Sequence, residues 1–356
     1  TARNGQLATW GLGIAIFFDD YANTLVVGNT MRPMTDKLGV SREKLAYIVD
    51  STAAPITAIA LISTWIGAEL GYIKDGIDKI GDSVLSDMSV YSIFLSSIKY
   101  SFYPILALLF ILFVIFMKKD FGPMHKAEIA ARKNPIKETE NLVVNEKSKS
   151  YNALIPIGVL IFGTIFSLLH TGSDGVFWAK PIETLSNLSE VIGKANSYVA
   201  LLISSTLALA TAIFLTISQK VLSLAKTMDK VMDGFKSMLT AIVILVLAWA
   251  LSAVTQEMHT ANYIQELLVG NVSPVYLPVL TFIVSALVAF STGSSWSTMA
   301  IVYATILPAV YLTCLKAGIP TNELLEIFYN TVSCVLAGAV LGDHCSPISD
   351  TTILSS

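Results

Sequence analysis

The stretch Leu7-Ala8-Thr9-Trp10-Gly11-Leu12-Gly13-Ile14-Ala15-Ile16-Phe17-Phe18-Asp19-Asp20-Tyr21-Ala22-Asn23-Thr24-Leu25-Val26-Val27 sets two adjacent aspartates inside an apolar run. At the centre of a bilayer each carboxylate costs about 2.5–3.5 kcal/mol on insertion scales. Two together must be stabilised by partners, bound ions or protons. The stretch therefore reads as half of a cation and proton site in a secondary transporter.

The rest of the chain places that site in a membrane. Of 356 residues, 54% are hydrophobic and 14% charged, against about 25% charged in soluble domains. Mean hydropathy is +0.66. Candidate helices fall at 5–18, continuing past a break to about residue 31, then at 45–66, 100–117, 152–170, 198–217, 237–255, 275–290, 299–316 and 324–342, several of them of spanning length. The expected fold is an all-α polytopic membrane protein with about 8–10 transmembrane segments, some broken or re-entrant. Loops 32–44, 118–150 and 218–236 are rich in Lys and Arg, eight of them in 118–150, and are assigned to the cytoplasm. Loop 67–99 carries Glu69, Asp75, Asp78, Asp82 and Asp87 and reads as a solvated outer face with room for a short amphipathic segment. Segment 118–150, polar and with Pro123 and Pro135, reads as a flexible linker between first-half helices (1–117) and second-half helices (151–356).

Other classes are disfavoured. A net charge of −3 and the lack of a basic tract argue against a nucleic-acid partner. Cys314, Cys334 and Cys345 lie in or beside apolar runs and read as small reduced hydrophobes. No cofactor is expected, and the partners are the lipid bilayer and transported Na⁺ and H⁺. The chain begins without Met and stops within a motif, so an interior piece of a longer protein is expected.

Four polar interruptions carry the candidate chemistry. In a regular helix Asp19 and Asp20 point about 100° apart and cannot both face one ion. Unwinding near Asp20-Tyr21-Ala22-Asn23 would free carbonyls to join the carboxylates, with Asn23 and Thr24 adding neutral oxygens. Oxygen ligands of this kind suit a hard cation such as Na⁺, and closely held carboxylates can trade it for a proton. The alternative is an aspartate pair capping a helix at the interface. Asp50, in Asp50-Ser51-Thr52-Ala53-Ala54-Pro55, sits beside a proline kink. It is either a further ligand or a helix-start acid near the headgroups. In Phe290-Ser291-Thr292-Gly293-Ser294-Ser295-Trp296-Ser297-Thr298, six hydroxyls and a glycine interrupt the 43-residue apolar region 275–317. That favours a re-entrant tip with Ser291, Thr292, Ser294 and Ser295 as ligands over a plain loop. In Gly342-Asp343-His344-Cys345-Ser346-Pro347-Ile348-Ser349-Asp350-Thr351-Thr352, Asp343 follows an apolar helix much as Asp20 does, with Ser346 and Asp350 close behind. His170 and His259 read as interfacial residues.

The first and last of these stretches, with Gly28-Asn29-Thr30-Met31-Arg32-Pro33 and Ser41-Arg42-Glu43-Lys44-Leu45-Ala46-Tyr47-Ile48-Val49 leading into the Asp50 run, resemble the motifs of the NhaC-type Na⁺/H⁺ antiporter family. The resemblance covers essentially the whole chain. It implies a two-repeat carrier of the bacterial inner membrane, often a homodimer, with a transport domain moving against a scaffold. Similar proteins exchange organic acids such as malate and lactate, or carry amino acids. Span counting runs the Asp20 and Asp343 helices in the same direction, whereas an inverted repeat needs them opposed, so a re-entrant segment is expected within 237–316.

The expectation is a carrier, not an enzyme, that exchanges cytoplasmic Na⁺ for external H⁺. Asp19, Asp20 and Asp343 would be the competing carboxylates, and Asp20, Asn23, Asp343 and Ser346 the Na⁺ ligands. The runner-up is a Na⁺- or H⁺-coupled carrier of organic acids or amino acids. A two-aspartate intramembrane hydrolase fits adjacent acids less well.

Overall fold

A backbone in hydrocarbon must satisfy its own hydrogen bonds, and helices do this throughout the computed structural model. It describes residues 1–133 apart from Ile62, Asp82 and Asp87, then 151–175, 197–237 and 272–355, with scattered positions between 191 and 263. No strand occurs among the described residues. Four described helical segments are long and apolar enough to cross a membrane, and two bent pairs raise the total to six. The chain is an all-α polytopic membrane protein. Most of the expected helix 237–255, and His259, lie outside the described residues.

The chain divides into two compact units. The first, Thr1–Thr139 with Ile244–Ser356, holds α1 (Ala2–Ala15), α2 (Asp20–Lys37), α3 (Arg42–Ile59), α4 (Thr64–Ile80), α5 (Val90–Ser97), α6 (Phe102–Met117) and α7 (Gly122–Lys133). The second, Glu140–Val243, holds α8 (Tyr151–Gly172), α9 (Ser197–Ser218) and α10 (Leu224–Ser237). There α8 and α9 approach through small residues, with Thr164 Oγ1 2.8 Å from Ser204 Oγ. The first unit is completed by α11 (Leu277–Thr292), α12 (Ser295–Lys316), α13 (Thr321–Cys345) and α14 (Asp350–Ser355).

The core of the first unit lies where α4, α12 and α13 meet, around Trp65, Ile73, Tyr303, Leu307, Phe328 and Val335. Against its other side, α13 packs on α11 through Gly338 and Gly342. A Cβ at those positions would sit 2.4 Å from the Phe282 carbonyl oxygen and 2.2 Å from that of Ala286. Only the missing side chains let the two backbones approach so closely.

Two regions differ from the sequence expectation. Helix 45–66 is two helices, α3 and α4, bent by 54° at a break over 60–63. Pro55 lies within α3 and does not end it. Residues 64–80, expected mostly as outer loop, form α4, whose one face is buried; Asp75 and Asp78 are exposed but Glu69 is not. Secondly, 118–133 is not a loose linker. Asp120, its side chain only 6% exposed, pairs with Lys44, and the buried Glu128 accepts the Ser41 N–H at 2.7 Å. A charge count along the chain does not show that these acids neutralise the start of α3. Residues 134–150 lie outside the described residues.

Candidate ion-binding site

The site is built from helix ends. The chain breaks at 16–19, not across Asp20–Asn23 as expected, so Tyr21, Ala22 and Asn23 are helical. The break falls there because Asp19 is the N-cap of α2: its backbone is extended, and Oδ1 accepts the Ala22 N–H at 2.7 Å. Its Oδ2 accepts the Thr64 hydroxyl at 3.0 Å. Asp19 thus caps α2 and ties it to α4, each of its oxygens accepting one bond from the fold. The freed carbonyls are also taken up. Asn23 Nδ2 donates to the Gly13 and Ile16 oxygens at 2.7 and 3.0 Å, and the Thr64 N–H donates to Phe18 at 2.9 Å.

Asp20, first residue of α2, is only 1% exposed, and its Oδ1 accepts the Trp65 indole N–H at 3.1 Å. It lies where the partial positive charge of the helix N-terminus favours an anion. Asn23 Oδ1 is buried without a partner, and the Thr24 hydroxyl turns back to the Asp20 and Tyr21 carbonyls.

The second half repeats this layout. α13 ends, residues 346–349 break, and α14 begins at Asp350. Ser349 Oγ accepts the Thr352 N–H at 3.3 Å, as Asp19 accepts that of Ala22. In position, Asp20 therefore corresponds to Asp350, where the sequence comparison had paired it with Asp343. Asp343 lies seven residues earlier, in the last turns of α13, where the first half has Gly13. Asp343 is 1% exposed; Oδ2 accepts the Ser295 hydroxyl at 2.7 Å, and Oδ1 is buried without a partner.

The two breaks are brought together. Tyr21 donates its hydroxyl to Asp350 Oδ2 at 2.5 Å, joining the starts of α2 and α14. Thr352 donates to Asp50 Oδ2 at 2.9 Å, joining α14 to α3, and the other Asp50 oxygen is buried and unpartnered. Asp20 is within electrostatic reach of Asp343 and Asp350, and Asp343 of Asp350 and Asp50. Among the described residues no three acidic, His or Cys side chains converge as a cation cage. Each carboxylate instead has its own N–H or O–H donor.

The hydroxyl-rich stretch supplies one of those donors. Gly293 ends α11 in the left-handed conformation (φ 66°), where a Cβ would also strike the Ile348 carbonyl at 2.7 Å. Ser294 caps α12 and Ser295 reaches Asp343. Ser291 is exposed and bonds within its helix, as does Thr292. Ser346 bonds the Phe290 carbonyl at 2.9 Å, fastening the second break to α11. Trp65 and Tyr21 were not singled out from sequence, and Glu69 was read there as part of a solvated outer face. Trp65 and Tyr21 were signalled only by being polar-tipped aromatics beside acids or breaks.

The sequence profile of the Na⁺/H⁺ antiporter family matches residues 56–356. A protein of Haemophilus influenzae, described as uncharacterised, is 33% identical over 357 aligned positions, covering 99% of this chain. The chain spans 65% of that relative's length. No solved structure matches it.

Proposed function

Because this chain belongs to the Na⁺/H⁺ antiporter family, we propose that the protein exchanges cytoplasmic Na⁺ for external H⁺ across a bacterial inner membrane, with Asp20 and Asp343 as the shared carboxylates and no cofactor. The observation that carries this reading is the meeting of two helix breaks around Asp20, Asp343 and Asp350, all buried and all facing hydroxyl or indole donors. Those donors suit both cargoes. A hydroxyl such as that of Ser295 or Tyr21 can donate to a carboxylate or turn its lone pairs to a cation. The Trp65 N–H has no lone pair and stays a donor, so it orients Asp20 in either state. A carboxylate that holds H⁺ or Na⁺, but not both, couples the two fluxes when access alternates.

Everted vesicles containing the full-length protein test this. Adding NaCl to a pre-formed pH gradient collapses it, and Asp20→Asn and Asp343→Asn abolish the effect. The Na⁺ concentration for half-maximal collapse falls as pH rises, because fewer protons compete. No Na⁺-dependent collapse in wild type overturns the reading.

One observation favours a second reading. A cavity of about 700 Å³, lined by Tyr47, Asp50, Tyr103, Phe110 and His344, opens beside the site. It has room for an organic solute carried with the ion. Na⁺-stimulated uptake of labelled organic or amino acids, without pH-gradient collapse, would select it.

A further inference from the structure

Glu69 takes no part in the site above, yet it is an acid with 1% exposure. It follows Trp65 by one turn on the face of α4 that packs against α12. The Tyr303 hydroxyl of α12 lies 2.6 Å from Glu69 Oε1 and 3.0 Å from the Val332 carbonyl oxygen of α13. A phenol has one hydrogen, and here two acceptors are within its reach. If Glu69 is ionised, the single Tyr303 hydrogen goes to it and the link to Val332, whose carbonyl keeps its own helix bond, is lost, while Oε2, buried without a partner, shares a bare charge. If Glu69 carries a proton, it donates to Tyr303, and Tyr303 donates to Val332. Every hydrogen is then used, and only a neutral carbonyl oxygen lacks a partner, a far smaller desolvation cost than a charge.

The surroundings offer no compensating cation. Among the described residues, the titratable groups facing this point are Tyr303 of α12 and Cys334 of α13, which acts on Tyr303. Tyr91 of α5 is turned to the Leu61 carbonyl. The last turn of α3, Ile56-Thr57-Ala58-Ile59, carries no titratable group. Lys79 of α4 is exposed and bonds the Ala304 carbonyl.

We propose that Glu69 is a second proton-binding site, separate from Asp20 and Asp343, and that its proton holds α4, α12 and α13 together. The joint has a direct bearing on exchange. α4 carries Trp65, which holds Asp20; α12 carries Ser295, which holds Asp343; and α13 carries Asp343 itself. Loss of the proton removes one of the two bonds at Tyr303 and loosens the three helices that frame the carboxylates.

The test is infrared difference spectroscopy of the purified full-length protein in lipid, which does not depend on the antiport reading. Wild type minus Glu69→Gln is expected to show the C=O stretch of a protonated carboxyl at neutral pH. The band persists in an Asp20→Asn, Asp343→Asn background and is lost reversibly as pH is raised while the protein stays folded. Tyr303→Phe keeps the carboxyl and shifts the band, which assigns it even where Glu69→Gln is poorly produced. A wild-type spectrum with no band sensitive to either substitution overturns the proposal. So does a band that does not titrate, since that would make Glu69 a fixed structural acid.

Discussion

Asp19 and Asp20, neighbours in the chain, are held in unlike ways. Both Asp19 oxygens serve the fold, one capping α2 and one holding Thr64. Asp20 has an indole donor and lies near Asp343 and Asp350. Serine caps helices as well as aspartate does, so Asp19→Ser should retain exchange, whereas Asp20→Asn should abolish it. Losing the cap altogether in Asp19→Ala should cost about 0.5–2 kcal/mol of stability. Comparing vesicle exchange and thermal unfolding across the three variants checks this; loss of exchange in Asp19→Ser would restore Asp19 as a ligand. At this scale the sequence was informative about residue type and blind to partners. Apolar flanks marked Asp20 and Asp343 as costly to bury, hence in need of stabilisation. Nothing along the chain pairs Asp20 with Trp65 or Asp343 with Ser295, because those contacts join residues 45 and 48 positions apart.

Among the elements, the helix breaks organise the first unit. Their existence was legible from Asp, Ser, Gly and Pro inside apolar runs, but their placement was not. Ile16-Phe17-Phe18 looks like continuing helix, and only the N-cap role of Asp19 moves the break ahead of Asp20. Glu69 was misread because α4 mixes acids with apolar residues, so a linear reading gives a loop where the helix has one buried face. The α11–α13 contact makes a sharp element-scale prediction. Gly342→Ala would drive a Cβ to 2.2 Å from the Ala286 carbonyl. Overpacking of that kind costs about 1–3 kcal/mol, and here backbone must shift. Melting in detergent should fall clearly for Gly342→Ala and very little for Gly71→Ala, whose Cβ meets nothing within 4 Å. Equal melting of the two would show that the helices are not so closely packed.

For the molecule as a whole, fold class and family were legible from hydropathy and the two aspartate motifs; the tie between the charged loops was not. Lys44 and Asp120 form a buried ion pair joining the starts of α3 and α7. Contact between loops 32–44 and 118–150 requires both to lie on one side of the membrane, as their positive charge suggests. Removing one partner of a buried pair costs about 3–5 kcal/mol, while replacing both with apolar residues is often neutral. Asp120→Leu should therefore lower thermal stability more than the double variant Lys44→Met/Asp120→Leu, and additive losses would contradict the pairing. The central claim is that Na⁺ and H⁺ compete for carboxylates at the meeting of the two breaks. Its most direct measurement is proton release by purified, full-length, weakly buffered protein on addition of NaCl, with choline chloride as control. The account predicts acidification with NaCl alone, greater at a pH where protons still occupy the site, and absent in both Asp20→Asn and Asp343→Asn. No Na⁺-specific proton release from wild type, or undiminished release from Asp20→Asn, would contradict it.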